Sequence, residues 1–227
     1  MPLNSKSMFG TKTRHYIECE WPEPPVRRRH HQMNPEIQIF LKQLEEHARI
    51  HDAQEPEHSR KLLNLEPETA AIVSILARSS RARRLLEIGT SNGYSTIWLA
   101  SSVGPEGGHV VSIDRSRDKH RMAHDNLLEA GLLQYVDLRV GDATEVIKTL
   151  PGPFDFVFFD ADRTSAPGQL ALLLPKLAPQ ALVLADNALS HPDEIAGYLT
   201  MVKSLEQFQH VLIPVGKGLS VAFAESI

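Results

Sequence analysis

The sequence predicts a doubly wound α/β fold: a mostly parallel, seven-stranded sheet with helices on both faces and an antiparallel strand at its C-terminal end. Three observations carry this. Runs such as LLEI from Leu85, FDFVFF from Phe154 and ALVLA from Ala181 are almost wholly apolar, and strands that lack polar alternation are buried on both faces. Segments with helical spacing of apolar residues separate these runs, which is the order of a parallel sheet with crossover helices. The last two apolar runs, 211–214 and 219–224, flank only the turn Gly216-Lys217-Gly218, so they form a hairpin and one strand is reversed.

Composition bounds the possibilities. The 227 residues suit one domain with a full α/β core. At 42% hydrophobic, 23% charged and a net charge of −4, the chain is neither a general nucleic-acid coat nor a membrane-surface protein. Cys19 is the single cysteine, so no intrachain disulfide forms and a reducing compartment is expected. No apolar run has the length of a membrane span, and the N-terminus lacks the apolar core of a signal peptide. The expected location is cytoplasmic.

Residues 1–33, with the basic run Arg27-Arg28-Arg29-His30-His31, carry little apolar periodicity. They read as an N-terminal arm or solvated tail ahead of a single domain at 34–227. Asn34 and Pro35 open a helix as N-cap and first residue, with Ile37, Phe40, Leu41, Leu44 and Ala48 on one stripe. His47 and His51 lie four apart on it, a spacing that can hold a metal, although a solvent-facing pair is the stronger reading. Pro67 opens a second helix with Ala71, Ile72, Ile75 and Leu76 as its apolar face. The cluster Arg78, Arg81, Arg83 and Arg84 then reads as a charged helix end rather than a phosphate contact.

Strand one, 85–88, breaks at Gly89 and feeds a helix from Tyr94. Strand two spans 109–114, and Ser116 caps a helix that stops at Gly131. Strand three spans 136–140, followed by a short helix near 145–150. Strand four spans 154–159. A leucine-rich helix at 170–177 precedes strand five at 181–185, and Pro192 begins the last helix before the hairpin.

In such a sheet, ligands bind beyond the carboxyl ends of the strands. Gly89 and Gly93 give G-x-x-x-G; the G-x-G-x-x-G glycine that admits a pyrophosphate is missing, which argues against a nicotinamide oxidoreductase. Glu87 at this turn suits a ligand with an ammonium or other positive charge, and S-adenosylmethionine is one. Asp114, roughly 20 residues past the turn, is placed for ribose hydroxyls. The turn Gly141-Asp142-Ala143 is placed for an adenine edge. Asp160, Asp186 and Asn187 bring three oxygen ligands to neighbouring strand ends, a set for a hard dication such as Mg²⁺. The alternative is that Asp160 and Asp186 cap the helices that follow, which leaves two carboxylates repelling each other.

The motifs LLEIGTSNGYS, VVSID, VGDA, FVFFDAD, VLADN and PVGKGLSVA are together specific. Through them, residues 65–224 resemble the cation-dependent O-methyltransferases, the family of catechol and caffeoyl-coenzyme A O-methyltransferases and their bacterial relatives. The resemblance implies the Rossmann-like fold of the class I S-adenosylmethionine methyltransferases. It implies that Glu87 and Ser95 hold the methionine part of the cofactor, Asp114 the ribose, and Asp142 and Ala143 the adenine. Leu65 lines the same pocket, with Gly89, Ser91, Gly93, Tyr94, Arg115 and Asp160 completing it. Asp160, Asp186 and Asn187 match the metal ligands.

The implied chemistry is direct methyl transfer to a small vicinal diol. Two departures bear on it. Arg163 stands where many relatives carry a lysine proposed as base, and a guanidinium does not give up its proton. Arg163 can still steer or stabilise an anionic acceptor, and the base is then another group, metal-bound hydroxide, or unnecessary; His191 is a candidate, although a helix-start histidine with no catalytic role is the stronger reading. Ala166 replaces a frequent tyrosine, and ALSHPDEI lacks a tryptophan common after Asn187, so a plant-type phenylpropanoid ester is not the expected acceptor. Relatives are commonly homodimers. A hydroxylated tRNA nucleoside is an alternative acceptor, motivated by the basic runs but disfavoured by overall charge. A catalytically silent cofactor-binding protein is the remaining alternative.

Overall fold

The computed structural model describes residues 33–225. The N-terminal arm, with its basic run and Cys19, lies outside the described residues. Met33 already packs against the core, and its carbonyl accepts from Gln38 Nε2 at 3.1 Å.

Helix α1 spans Pro35–Gln54, and Asn34 caps it by accepting from the Glu36 N–H at 2.9 Å. Helix α2 is Pro67–Ser79. There follow β1 (Arg84–Ile88), α3 (Tyr94–Val103), β2 (His109–Asp114), α4 (Arg117–Glu129), β3 (Val136–Val140), α5 (Ala143–Thr149) and β4 (Phe154–Phe159). Then come α6 (Ala166–Leu173), β5 (Leu177–Ala185), α7 (Pro192–Ser204), β6 (Phe208–Ile213) and β7 (Leu219–Ala224). The sheet order is β3-β2-β1-β4-β5-β7-β6. Strands β1 to β5 are parallel, and β7 is antiparallel to both neighbours. Strand order reverses between β1 and β4, the crevice where ligands of open α/β sheets bind.

The doubly apolar strands divide their side chains between two cores. Leu85, Val110, Phe156, Phe158 and Leu184 pack with Leu41, Leu44, Val73, Ile97 and Leu99 from α1 to α3. Leu86, Ile88, Val157, Phe159 and Val183 pack with Ile147, Leu170, Ile195 and Tyr198 from α5 to α7. Alternate residues of one strand serve opposite faces, so Glu87 turns toward the α1–α3 side with Leu85.

Three expectations need correction. The buried face of α2 is Thr69, Ala70, Val73, Ser74 and Ala77, whereas Ile75 is 62% exposed. The stripe read from the sequence is centred about 160° around the helix from the buried face, although Ile72 and Leu76 at its margins still pack against the core. Close approach to α3 selects the small residues, and Ser74 Oγ and Ser102 Oγ share a hydrogen bond at 2.5 Å. The leucine-rich helix α6 lies at Ala166–Leu173, not at 170–177. Its C-terminal leucines enter a 3₁₀ turn containing Pro175, and β5 starts at Leu177, with a register shift opposite Phe154 and Phe156. Strand β6 begins at Phe208, where it pairs with Ala224. The rings of His47 and His51 meet edge-on at 6.3 Å, and His51 Nδ1 lies 3.0 Å from Asp52 Oδ1.

Candidate active site

The tips of β1 and β4 are in intimate contact. Gly89 has φ +114, and a Cβ there would lie 2.7 Å from the Asp160 carbonyl carbon. Only glycine provides both that backbone angle and that space. Asp160 in turn donates its N–H to the Ile88 carbonyl at 2.8 Å. Gly93 has φ +86 and packs against Ala123 of α4, which starts α3 close against α4.

Glu87 is fully buried. Its Oε2 accepts from Ser112 Oγ at 2.5 Å and from Thr96 Oγ1, while Oε1 has no partner. Burial pushes the carboxyl above its usual range; the hydroxyls of Ser112, Thr96 and Ser95 pull it back, and the Asp114 charge adds to the rise. Asp114 accepts from the Ser91 and Ser116 N–H groups, one on each oxygen, both at 2.8 Å. Each oxygen retains a lone pair for a ribose hydroxyl. Ser91, at φ 47, also donates its hydroxyl to the Leu62 carbonyl at 2.6 Å. Leu65 is buried in the core beside α1 to α3.

Other expected cofactor residues are placed differently. The Tyr94 ring is buried and its hydroxyl donates to Glu45 of α1 at 2.6 Å. That side chain fastens α1 to α3, and burial with the Glu45 contact pushes its hydroxyl further up from the usual phenol range, a direction that keeps it neutral. Asp142 is exposed and caps α5 by accepting from the Glu145 N–H at 3.2 Å, with Ala143 the first helical residue. Arg115 is exposed at the β2 tip, and its charge reaches Asp162 after β4.

The acidic side of the crevice lies at β4 and β5. Asp186 is 3% exposed; its Oδ2 accepts from Asn187 Nδ2 at 2.6 Å, and its Oδ1 is buried without a partner. Asn187 sits at φ 64, a backbone state asparagine tolerates. Burial first, then the charge of Glu66, pushes Asp186 up to about 6. Burial and then the Asp186 charge raise Asp160 well above the carboxylate range. Neither acid caps a helix: Ser165 and His191 occupy the N-cap positions of α6 and α7.

Arg163 is not free. Its Nε and Nη2 hold Glu194 Oε2 at 2.8 and 2.7 Å, tying the β4–α6 loop to α7. His191, at the start of α7, has Nδ1 2.8 Å from Ser190 Oγ, which donates to Asn187 Oδ1 at 3.2 Å. Asp160, Arg163, Ala166, Gln169, Asp186 and Asn187 line one small recess under the strand tips.

Two groups escaped the sequence reading. Lys217, on the β6–β7 turn, pairs with Glu66 at the start of α2 at 2.7 Å. Both charges act on Asp160 and Asp186. The only sequence signal was a charged residue between two glycines. Thr96 and Ser112 also went unnoticed, although a hydroxyl inside an apolar run is the detectable cue. Glu66 Oε2, Thr69 Oγ1, Glu87 Oε1, Gln169 Oε1 and Asp186 Oδ1 are all buried without partners. Each such group costs about 1–3 kcal/mol, so their gathering around the crevice marks a place completed by ligands.

Residues 86–188 match a family described as a methyltransferase domain. The chain is 39% identical over 116 residues to a catechol O-methyltransferase of Mycobacterium tuberculosis, covering 51% of this chain and 52% of that protein. It is 31% identical over 131 residues to a catechol O-methyltransferase of Niastella koreensis, covering 56% and 59%. The matched part thus spans about half the length of these curated relatives. A more complete match is the structure of TomG, an O-methyltransferase of Streptomyces achromogenes involved in tomaymycin synthesis, solved with S-adenosylmethionine. It is 30% identical, with a TM-score of 0.70, over 82% of this chain and 89% of that one. This chain belongs to the S-adenosylmethionine-dependent O-methyltransferases.

An O-methyltransferase of Bacillus cereus, solved with S-adenosylhomocysteine, is another family structure that matches at a TM-score of 0.69, with 25% identity over 82% of this chain and 90% of that one.

Proposed function

We propose that this chain transfers a methyl group from S-adenosylmethionine to one hydroxyl of a small vicinal diol, with a divalent cation held by Asp160, Asp186 and Asn187. The observation that carries the reading is the meeting, across the β1–β4 crevice, of an ammonium-seeking carboxylate oxygen and a pair of acids that burden each other. Glu87 Oε1 on β1 and Asp186 Oδ1 just past β5 are both buried and unpartnered, and between them runs β4, whose tip touches that of β1 through Gly89 and Asp160.

The donor set fits a hard cation. Among the described residues no three His, Cys, Asp or Glu side chains come together as a ligand set, so the donors are two carboxylates and a carboxamide oxygen, the kind that suits Mg²⁺ with water or substrate filling the remainder. When bound, such a cation acts as a Lewis acid that lowers the pKa of an acceptor hydroxyl, about 10 for a free phenol.

The chain's own residues do the rest. Glu87, Ser95 and Asp114 hold the donor at the methionine and ribose ends. The carbon–sulfur bond breaks as the carbon–oxygen bond forms, sulfur leaves as a neutral thioether, and the hydroxyl proton departs. Alignment of donor and acceptor supplies much of the rate, and loss of charge in the step favours a dry crevice. Arg163, engaged by Glu194, orients the loop and faces negative charge; it takes no proton. His191 is the imidazole linked to Asn187 through Ser190 and is the side chain assigned to take the proton.

The tRNA reading finds little support. Arg84 begins β1 and Glu87 lies near its end, so the basic cluster lies at the amino-terminal ends of the strands, opposite the acidic tips. Arg83 and Arg84 donate their backbone N–H groups to the Asp155 carboxylate, a contact that ties β1 to the start of β4. Transfer of labelled methyl from S-adenosylmethionine to catechols, with and without chelator, tests the proposal. Label should enter the diol only without chelator. Cofactor binding with no transfer to any diol would make the chain a silent binder, and label in bulk tRNA alone would restore the RNA reading.

A further inference from the structure

Glu87 carries an arrangement that neither its position nor its charge explains. Two hydroxyls from different elements, Thr96 on α3 and Ser112 on β2, donate to the same oxygen, Oε2. Thr90 Oγ1 lies 2.6 Å from Ser112 Oγ. Thr90, Thr96 and Ser112 are all buried. An ionised carboxylate only accepts, so Ser112 must give it a proton and Thr90 must give one to Ser112. The hydroxyl protons therefore all run toward Oε2, each bond polarising the next. Oε1 is left as the unpartnered acceptor.

We propose that Ser112 and Thr96 are positioning residues for cofactor recognition: by saturating Glu87 Oε2 they fix the carboxylate plane and present Oε1 as the acceptor for the ammonium of the methionine moiety. This rests on S-adenosylmethionine being the cofactor. Register supports the geometry, since Glu87 pairs directly with Ser112 across β1 and β2. Thr96 reaches the carboxylate from the first turn of α3, where Ser95 also stands beside it. The acids Asp114 and Asp160 face the same tip and disfavour the ionised state. Two donated hydrogen bonds oppose that pressure before any ligand arrives.

The test compares two ligands by calorimetry on the full chain. S-adenosylhomocysteine carries the ammonium; 5′-methylthioadenosine shares the adenosine end and lacks it. Thr96→Val and Ser112→Ala each remove one hydroxyl with little change of shape. Each should weaken S-adenosylhomocysteine about tenfold, the scale of one hydrogen bond to a charged group, and shift 5′-methylthioadenosine by less than about twofold. Thr96→Ser, which keeps the hydroxyl, should retain wild-type affinity for both. Parallel loss of both ligands would show a merely structural role and overturn the proposal, as would unchanged S-adenosylhomocysteine binding. If the wild-type chain binds neither ligand, the cofactor reading itself fails, an outcome distinct from wild-type binding that the variants leave untouched.

Discussion

Gly89→Ala is the most informative single change, because one atom tests both the fold and the site. The new Cβ would lie 2.7 Å from the Asp160 carbonyl carbon and closer still to its oxygen, in a backbone held at φ +114. The angle alone costs about 1–3 kcal/mol for a residue with a side chain. Relieving the overlap requires the β1 and β4 tips to part by about 1 Å, comparable to overpacking a core at about 1–3 kcal/mol. The expected loss is about 2–6 kcal/mol. Gly131→Ala is the control: φ is +68 and nothing lies within 4 Å of the added atom, so only the angular cost applies, about 1–2 kcal/mol. Denaturant unfolding of both variants separates contact from angle. Manganese affinity, measured by calorimetry, should fall at least tenfold in Gly89→Ala, since Asp160 moves with its backbone, and stay unchanged in Gly131→Ala. Equal stabilities for the two variants, with wild-type manganese binding, would refute the close approach of the strand tips.

Further outcomes follow from the same geometry. Asp186, raised to about 6 by burial and then by Glu66, is a carboxyl whose folded pKa exceeds its unfolded value. Its favourable contribution is therefore present below about pH 4 and lost as pH rises through 6, about 3 kcal/mol at most. Cation-free protein should lose stability over that window and Asp186→Asn should flatten the slope, as urea titrations at several pH values would show; a wild-type profile already flat would contradict the buried charge. Cation affinity should rise over the same window, because the ligands must ionise. Asp160→Ala should abolish cation-dependent transfer while circular dichroism stays near wild type, and wild-type turnover in that variant would remove the cation from the mechanism. Arg163→Gln should lower turnover less than tenfold and leave the shape of the pH–rate profile unchanged, since the guanidinium carries no transferable proton. Loss of a titrating limb would assign it the base role. Its ion pair with Glu194 is partly exposed, at 23% and 47%, so stability should change by less than about 1 kcal/mol.

The parallel sheet, the hairpin and the strand-end residues Glu87, Asp114, Asp160, Asp186 and Asn187 were legible in the chain, because apolar runs and the residues that end them are local signals. Strands β2, β3 and β4 coincide with their expected limits, each bounded by polar or turn residues. The face of α2 was not legible. Alanine and serine at positions 70, 74 and 77 carry little hydrophobic signal, and only the proximity of α3 makes them the contact. The leucines before Pro175 suit helix and strand alike, so their division awaited packing.

Which oxygen of a carboxylate is taken and which is left is a tertiary matter. Thr96, Ser112 and Glu87 lie in three elements, and nothing along the chain says their side chains share one buried point. The same holds for Glu66 and Lys217, separated by most of the domain yet joined at 2.7 Å. Sequence by itself determined the architecture and the chemistry available at each strand tip, since burial pattern and residue type are properties of short stretches. Structure alone decided which groups are satisfied, which are left open and how their charges weigh on one another, since those depend on distances between residues far apart in the chain.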